Sequence, residues 1–256
     1  MSPSLNVYAL PRFAEPEELA GGAAVVIDVL RASTTIAHAL ESAAAQVIPC
    51  REIDQALALA RALPPEDVLL GGERGGLPIE GFHLGNSPGE YSADRVAGKT
   101  IVFTTTNGTR AIEHACRADR ILIGSFVNVS AVASELVGQE RIHLICAGTN
   151  GQISQDDLLL AGMLVERIHG LGELAYEQND QARDARQAWL DAFGLPCALG
   201  DEPLEPERLA AELSKSLGGR NLVAVGLQED ILAAARIDLF DGVPEFDPRN
   251  AGIRLA

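Results

Sequence analysis

Short apolar runs alternate with segments of helical periodicity through the first two-thirds of the chain, and this alternation constrains the fold more than any other feature. The apolar runs predict strands at 23–28, 46–50, 67–70, 99–104, 120–124 and 141–147. The intervening patterns predict helices at 34–44, 53–63, 109–118, 129–138 and 155–170. Ser154, with Asp157 three residues on, reads as a capping box for the last of these. A chain patterned in this way is confined to an α/β layered fold, a largely parallel or mixed sheet flanked by helices. Two stretches depart from the rhythm. Residues 71–98 are too long for a simple connection and read as an ordered binding loop. From about 176 onward, helices at 180–193, 207–217 and 227–235 are expected to cover one side of the sheet within a single domain spanning 1–256.

Composition narrows the function classes. A net charge of −16 with no basic run argues against nucleic-acid or anionic-membrane partners. No apolar stretch approaches the length of a membrane span, and the first twelve residues lack the pattern of a signal peptide, so a cytoplasmic location is expected. Lys99 and Lys215 are the only lysines; the other cations are arginines, which suit bidentate capture of phosphate or sulfonate. Cys50, Cys116, Cys146 and Cys197 have no Cys-x-x-Cys spacing, which disfavours structural zinc and a redox pair. The sequence gives no signal for or against a homo-oligomer.

The candidate chemistry sits where predicted strands end. The run Val25-Val-Ile-Asp-Val-Leu-Arg-Ala-Ser-Thr-Thr35 delivers Asp28 at the carboxyl end of a buried strand, with Arg31 beside it and Ser33 or Thr34 as helix caps. An acid there is costly unless paired or bound to a cation, so Asp28 is a catalytic and metal-ligand candidate and Arg31 a catalytic one. Gly71-Gly-Glu-Arg-Gly-Gly76 offers Glu73 as a second hard oxygen ligand, suited to Mg²⁺, and Arg74 as an anion clamp. Thr104 to Arg110 joins a strand to a helix, so Thr105, Thr106, Asn107, Gly108, Thr109 and Arg110 form a candidate phosphate cradle. Asp156 and Asp157 follow another strand end, with Asp157 the better metal candidate. His83 is a weaker candidate for a general acid. Each acid–arginine mixture has a bland reading as a salt bridge or a turn. Together the segments read as one divided active site.

Familiar motifs are absent. Gly98-Lys99-Thr100 imitates the end of a P-loop, but Ala93 occupies the required first glycine and the triplet precedes a strand. Leu30 stands where an Asp-x-Asp phosphatase would carry its second aspartate, and no Gly-x-Ser-x-Gly elbow is found.

Several segments together resemble the 2-phosphosulfolactate phosphatase family. They are Val26 to Thr35, Gly71 to Phe82, Leu84-Gly-Asn-Ser-Pro88, Thr104 to Arg110, and Ala147-Gly-Thr-Asn-Gly151 with Ser154 and Asp157; a looser match follows around Asp230 to Pro244. His83 stands where the resemblance leads one to expect an aspartate. The resemblance implies a Mg²⁺-dependent phosphoric monoester hydrolase that converts (2R)-O-phospho-3-sulfolactate to 3-sulfolactate and phosphate, an activity that serves coenzyme M biosynthesis in methanogens. On that reading Asp28 and Glu73, with Asp157, hold Mg²⁺, and the 105–109 segment with Arg31 or Arg110 stabilises charge on the phosphoryl group. The nucleophile is then either metal-activated water or the Asp28 carboxylate. A non-catalytic binding protein for a sulfonated or phosphorylated metabolite, and a phosphotransferase, are the competing expectations.

Overall fold

The run Ala23–Ile27 is buried at every position because a strand pairs with it on each side and helices cover both faces. A computed structural model describes residues 2–172, 174–195 and 202–256; Cys197 lies outside the described residues. The strands, in chain order, are β1 (Ser4–Tyr8), β2 (Ala23–Ile27), β3 (Gln46–Cys50), β4 (Val68–Arg74), β5 (Leu77–Pro78), β6 (Thr100–Thr104), β7 (Arg120–Gly124), β8 (Arg141–Cys146), β9 (Glu177–Gln178), β10 (Pro244–Asp247) and β11 (Gly252–Leu255). They form one mixed sheet in the order β5-β4-β6-β3-β11-β10-β7-β2-β8-β1-β9. Parallel pairing runs through β4-β6-β3 and again through β7-β2-β8-β1-β9. The β10–β11 hairpin joins these blocks, antiparallel to β7 on one side and to β3 on the other.

Strand alternation sorts the core into two faces. Val25 and Ile27 pack with residues of the helices Val129–Leu136, Gln155–Leu171 and Asp180–Phe193. Ala24 and Val26 pack instead with the helices Ala32–Glu41 and Gly108–His114. Trp189 is fully buried between Phe126 and Phe193, with ring centroids 6.0 and 4.7 Å away. Each large apolar side chain buried in this way contributes roughly 1.5–3 kcal/mol before its ordering cost. This packing fixes the sheet, and the sheet fixes the ends of β2, β4, β6 and β8.

The α/β expectation holds, and the differences are local. The strand expected at 67–70 continues through Arg74, so most of the glycine-rich segment is strand rather than loop. The loop region holds β5, a 3₁₀ turn at Pro88–Glu90 and a short helix, Ala93–Val96. The helix expected at 207–217 is two helices, Pro206–Leu213 and Leu217–Ala224; Ser216 caps the second by accepting from Gly219 N at 2.9 Å. The carboxyl-terminal part is not helical throughout, because the β10–β11 hairpin enters the sheet. No helix among the described residues is long and apolar enough to cross a membrane.

Candidate active site

The turn after β2 is closed by its own hydroxyls. Ser33 Oγ donates to the Asp28 carbonyl at 2.8 Å and accepts from Asp28 N at 3.1 Å, while Thr34 Oγ1 donates to the Val29 carbonyl at 2.8 Å. Neither residue caps the helix as the sequence suggested, because both lie inside Ala32–Glu41. The cap-like bond comes from Asp28, whose Oδ1 accepts from Ala32 N at 3.2 Å. The carboxylate is thereby held in the lining of a cleft of about 350 Å³.

Glu73 reaches the same cleft from β4. Its Oε1 accepts from Thr106 N at 2.7 Å; its Oε2 accepts from Gly76 N at 2.6 Å and from Thr106 Oγ1 at 3.2 Å. The Thr106 amide thus serves the glutamate and ties β4 to the turn after β6. Thr106 and Asn107 line the cleft, and Asn107 Oδ1 accepts from Asn150 N at 3.2 Å, joining this turn to the one after β8. Gly108 abuts the site: a Cβ there would lie 2.9 Å from Asp28 Oδ2 and 2.7 Å from the Ala32 Cβ. Only glycine permits so close an approach.

Arg31 is the single cation lining the cleft among the described residues. It is 5% exposed, and its Nη1 donates to Asp230 Oδ2 at 2.7 Å and to Ser87 Oγ at 3.2 Å. Its Nη2 donates to the Gly76 carbonyl at 3.0 Å.

The arginines expected from the other two segments point elsewhere. Arg74 follows Glu73 on a strand, and successive strand residues face opposite sides. With Glu73 in the cleft, Arg74 turns away and donates to the Glu73 and Arg51 carbonyls. Arg110 is two residues beyond Gly108 on a helix, where positions two apart share no face. It lines a separate, open cleft with Arg51, His114 and Arg117. Thr105 and Thr109 are committed to each other: Thr105 Oγ1 accepts from Thr109 N at 3.2 Å, and Thr109 Oγ1 donates to the Thr105 carbonyl at 2.8 Å. His83 is exposed, with Nδ1 accepting from Leu70 N at 2.9 Å, and does not line the cleft.

The paired acids after β8 behave differently from Asp28. Asp157 is buried away from the cleft; Oδ1 accepts from Val29 N and Oδ2 from Gly148 N, each at 2.9 Å. It clasps the turns after β2 and β8 and, unlike Asp28 and Glu73, does not line the cleft where the metal ligands were expected to meet. Asp156 accepts from Ser154 Oγ, so Ser154 and Asp157 do not form the capping box either. Among the described residues, no three acidic, histidine or cysteine side chains gather as a ready metal cage.

Burial raises the Asp28 pKa to about 7; Asp156 and Glu73 nearby add to the rise, while the Ala32 amide and Arg31 oppose it. Asp157 is pushed well above the usual carboxylate range by burial and then by Asp156 and Asp28. Asp156 is raised by burial against its bonds to Ser154 and Ser216. Around the turn after β2, three buried carboxyl groups are therefore held less readily ionised than in water.

Several lining residues had no individual role in the sequence reading, although Asn86, Thr149 and Asn150 lie in segments that carry the family resemblance. Asn86 is 5% exposed, and its buried Oδ1 has no hydrogen-bond partner. Thr149 and Asn150 come from the turn after β8, and Gly218, Asn221 and Val225 from the helix Leu217–Ala224 and its end. The only advance signal for that wall was Ser216 followed by Leu217-Gly218-Gly219, a cap before residues small enough to approach the site.

Comparison with known proteins bears on what these residues do together. A family model described as 2-phosphosulpholactate phosphatase matches residues 8–248. The chain is 43% identical over 231 residues to the "Probable 2-phosphosulfolactate phosphatase" of Symbiobacterium thermophilum, covering 90% of this chain and 93% of that protein. Proteins of the same name from Thermotoga maritima and Deinococcus radiodurans are 41% and 39% identical, with coverage of 86–88% of each chain. The match takes in the turn that carries Asp28, the strand that carries Glu73 and the helix that closes the cleft, and the chain belongs to the 2-phosphosulpholactate phosphatase family.

Proposed function

We propose that the protein is a phosphoric monoester hydrolase, that the cleft around Asp28, Arg31 and Glu73 is its active site, and that (2R)-O-phospho-3-sulfolactate is its substrate. The observation that carries this reading is the convergence of an incompletely bonded carboxylate, a buried guanidinium and backbone-rich turns on one cleft of about 350 Å³. That volume suits a small metabolite. Family membership supplies the substrate, since relatives covering nearly the whole chain carry that name. The free thiols Cys50, Cys116 and Cys146 favour a reducing, cytoplasmic setting.

The donor set fits a divalent cation in part. A carboxylate has about four acceptor positions. Asp28 has one amide donor on it, and Glu73 accepts from three groups, so both retain capacity. The raised Asp28 pKa marks a position where a cation would favour the ionised form. Asp28 and Glu73, the carboxylates that line the cleft, would therefore hold Mg²⁺, and Asp157, which does not line it, would support them by holding the turns after β2 and β8. When bound, Mg²⁺ supplies a Lewis acid that polarises a phosphoryl oxygen. Arg31 contributes a guanidinium toward the transferring group, Thr106 and Asn107 shape the wall beside it, and the helix Leu217–Ala224 narrows solvent access.

Phosphate release from a panel of small phosphomonoesters, measured with Mg²⁺ and with EDTA, tests the proposal. Metal-dependent turnover with phosphosulfolactate ranked first supports it. Absence of release from every ester by folded protein would refute the hydrolase reading.

A further inference from the structure

The Arg31 guanidinium is tied to a residue almost two hundred positions away. Asp230 belongs to the helix Gln228–Ala234, is 6% exposed, and accepts from Arg31 Nη1 at 2.7 Å. The same oxygen, Oδ2, accepts from Ser87 Oγ at 2.8 Å, and Ser87 Oγ also lies 3.2 Å from Arg31 Nη1. On the other side of the guanidinium, the Gly76 carbonyl accepts from Nη2, while the Gly76 amide donates to Glu73. A continuous chain of polar contacts therefore runs from Asp230 through Arg31 and Gly76 to Glu73. It begins on a carboxyl-terminal helix and ends on a carboxylate of the cleft.

This placement has two consequences. A buried ion pair strengthened by a hydroxyl and a carbonyl fixes a side chain that would otherwise explore many rotamers. The carboxylate also offsets most of the charge that Arg31 would present to an anion. A guanidinium has five N–H donors, and among the described residues no acceptor is bonded to Arg31 Nε. Part of the group is left for a ligand, held at a fixed angle and with its charge damped.

We propose that Asp230 is a positioning residue that aims Arg31 into the cleft and sets the strength of its grip on a phosphate. The inference rests on reading the cleft as a phosphate site. Position and charge can be separated because asparagine keeps an acceptor for Arg31 and removes the charge, whereas alanine removes both.

The test is calorimetric titration of the full-length protein with inorganic phosphate in the presence of Mg²⁺, alongside phosphate release from phosphosulfolactate. Asp230→Ala is expected to weaken phosphate binding roughly tenfold, the scale of a charge-assisted hydrogen bond. Asp230→Asn is expected to keep or tighten phosphate binding several-fold and to lower KM more than it changes kcat. A purely structural role would lower the melting temperature in both variants and leave phosphate affinity unchanged. That result overturns the proposal, as does failure of the unaltered protein to bind phosphate. If Asp230→Ala does not fold, Ser87→Ala takes its place with a smaller loss in the same direction. Phosphate affinity that responds to Asp230 without turnover of any ester would uphold the positioning role while rejecting the hydrolase reading.

Discussion

Asp28 and Asp157 show how one residue type takes two roles through what surrounds it. Both follow a strand's carboxyl end, both are buried, and burial raises the pKa of both. Asp28 has one amide on Oδ1 and faces the cleft; Asp157 uses one oxygen for each of two backbone amides. The same comparison separates Glu73, which faces the cleft, from its neighbour Arg74, which does not. Asp157→Asn would set an amide NH₂ against a backbone N–H and leave a buried donor unpaired. A loss on the order of 2–3 kcal/mol is expected. Urea unfolding should register it, and activity measured well below the transition should fall less than for any change at Asp28.

The elements carry these residues into place, and strand β4 is the clearest case. At Gly72 the backbone has φ of +125°, and a Cβ would sit 1.9 Å from the Thr104 carbonyl oxygen of β6. Gly72→Ala must push the strands apart just before Glu73, with an expected loss on the order of 3 kcal/mol. Calorimetric melting checks this; an unchanged melting temperature would show that β4 does not need its close approach to β6. Much of this level was legible in the sequence, because β2, β3, β6, β7 and β8 are apolar runs and the helices between them keep their period. Glu73 was singled out as an acid in the glycine-rich segment after a predicted strand, and the structure places it on β4 itself. The direction of Arg74 and Arg110 depended on strand and helix phase, which a single displaced boundary changes. Pairings distant in sequence were harder still. Asp230 meets Arg31, and the β10–β11 hairpin enters the sheet, through contacts that leave no local pattern.

At the scale of the molecule, a protein of net charge −16 carries a cleft lined by Asp28, Glu73 and one paired arginine, so a phosphorylated substrate bound there as proposed would meet acidic surroundings. On the proposed reading, hydrogen-bond donors and a bound cation offset that repulsion locally. Buried His143 and half-buried His38 give the molecule a separate pH response. Burial, with Arg141 nearby, lowers the His143 pKa to about 4, and burial with Arg236 does the same for His38. Between about pH 6.5 and 4 the unfolded chain takes up these protons first, so the histidine contribution to stability is lost as pH falls through that window. The raised pKa values of Asp28, Asp156 and Asp157 act with the opposite sign, so a difference between variants is the informative measurement. His143→Gln should lose less stability than the unaltered protein between pH 7 and pH 5; an equal loss in urea unfolding would contradict the assignment. The central claim concerns Asp28, and its most direct test is phosphate release from phosphosulfolactate with Mg²⁺, comparing Asp28→Asn with the unaltered protein at matched melting temperature. The structure predicts a fall in kcat on the order of a hundredfold or more. Turnover in the folded variant within a few-fold of the unaltered protein would contradict the account and move the chemistry away from this cleft.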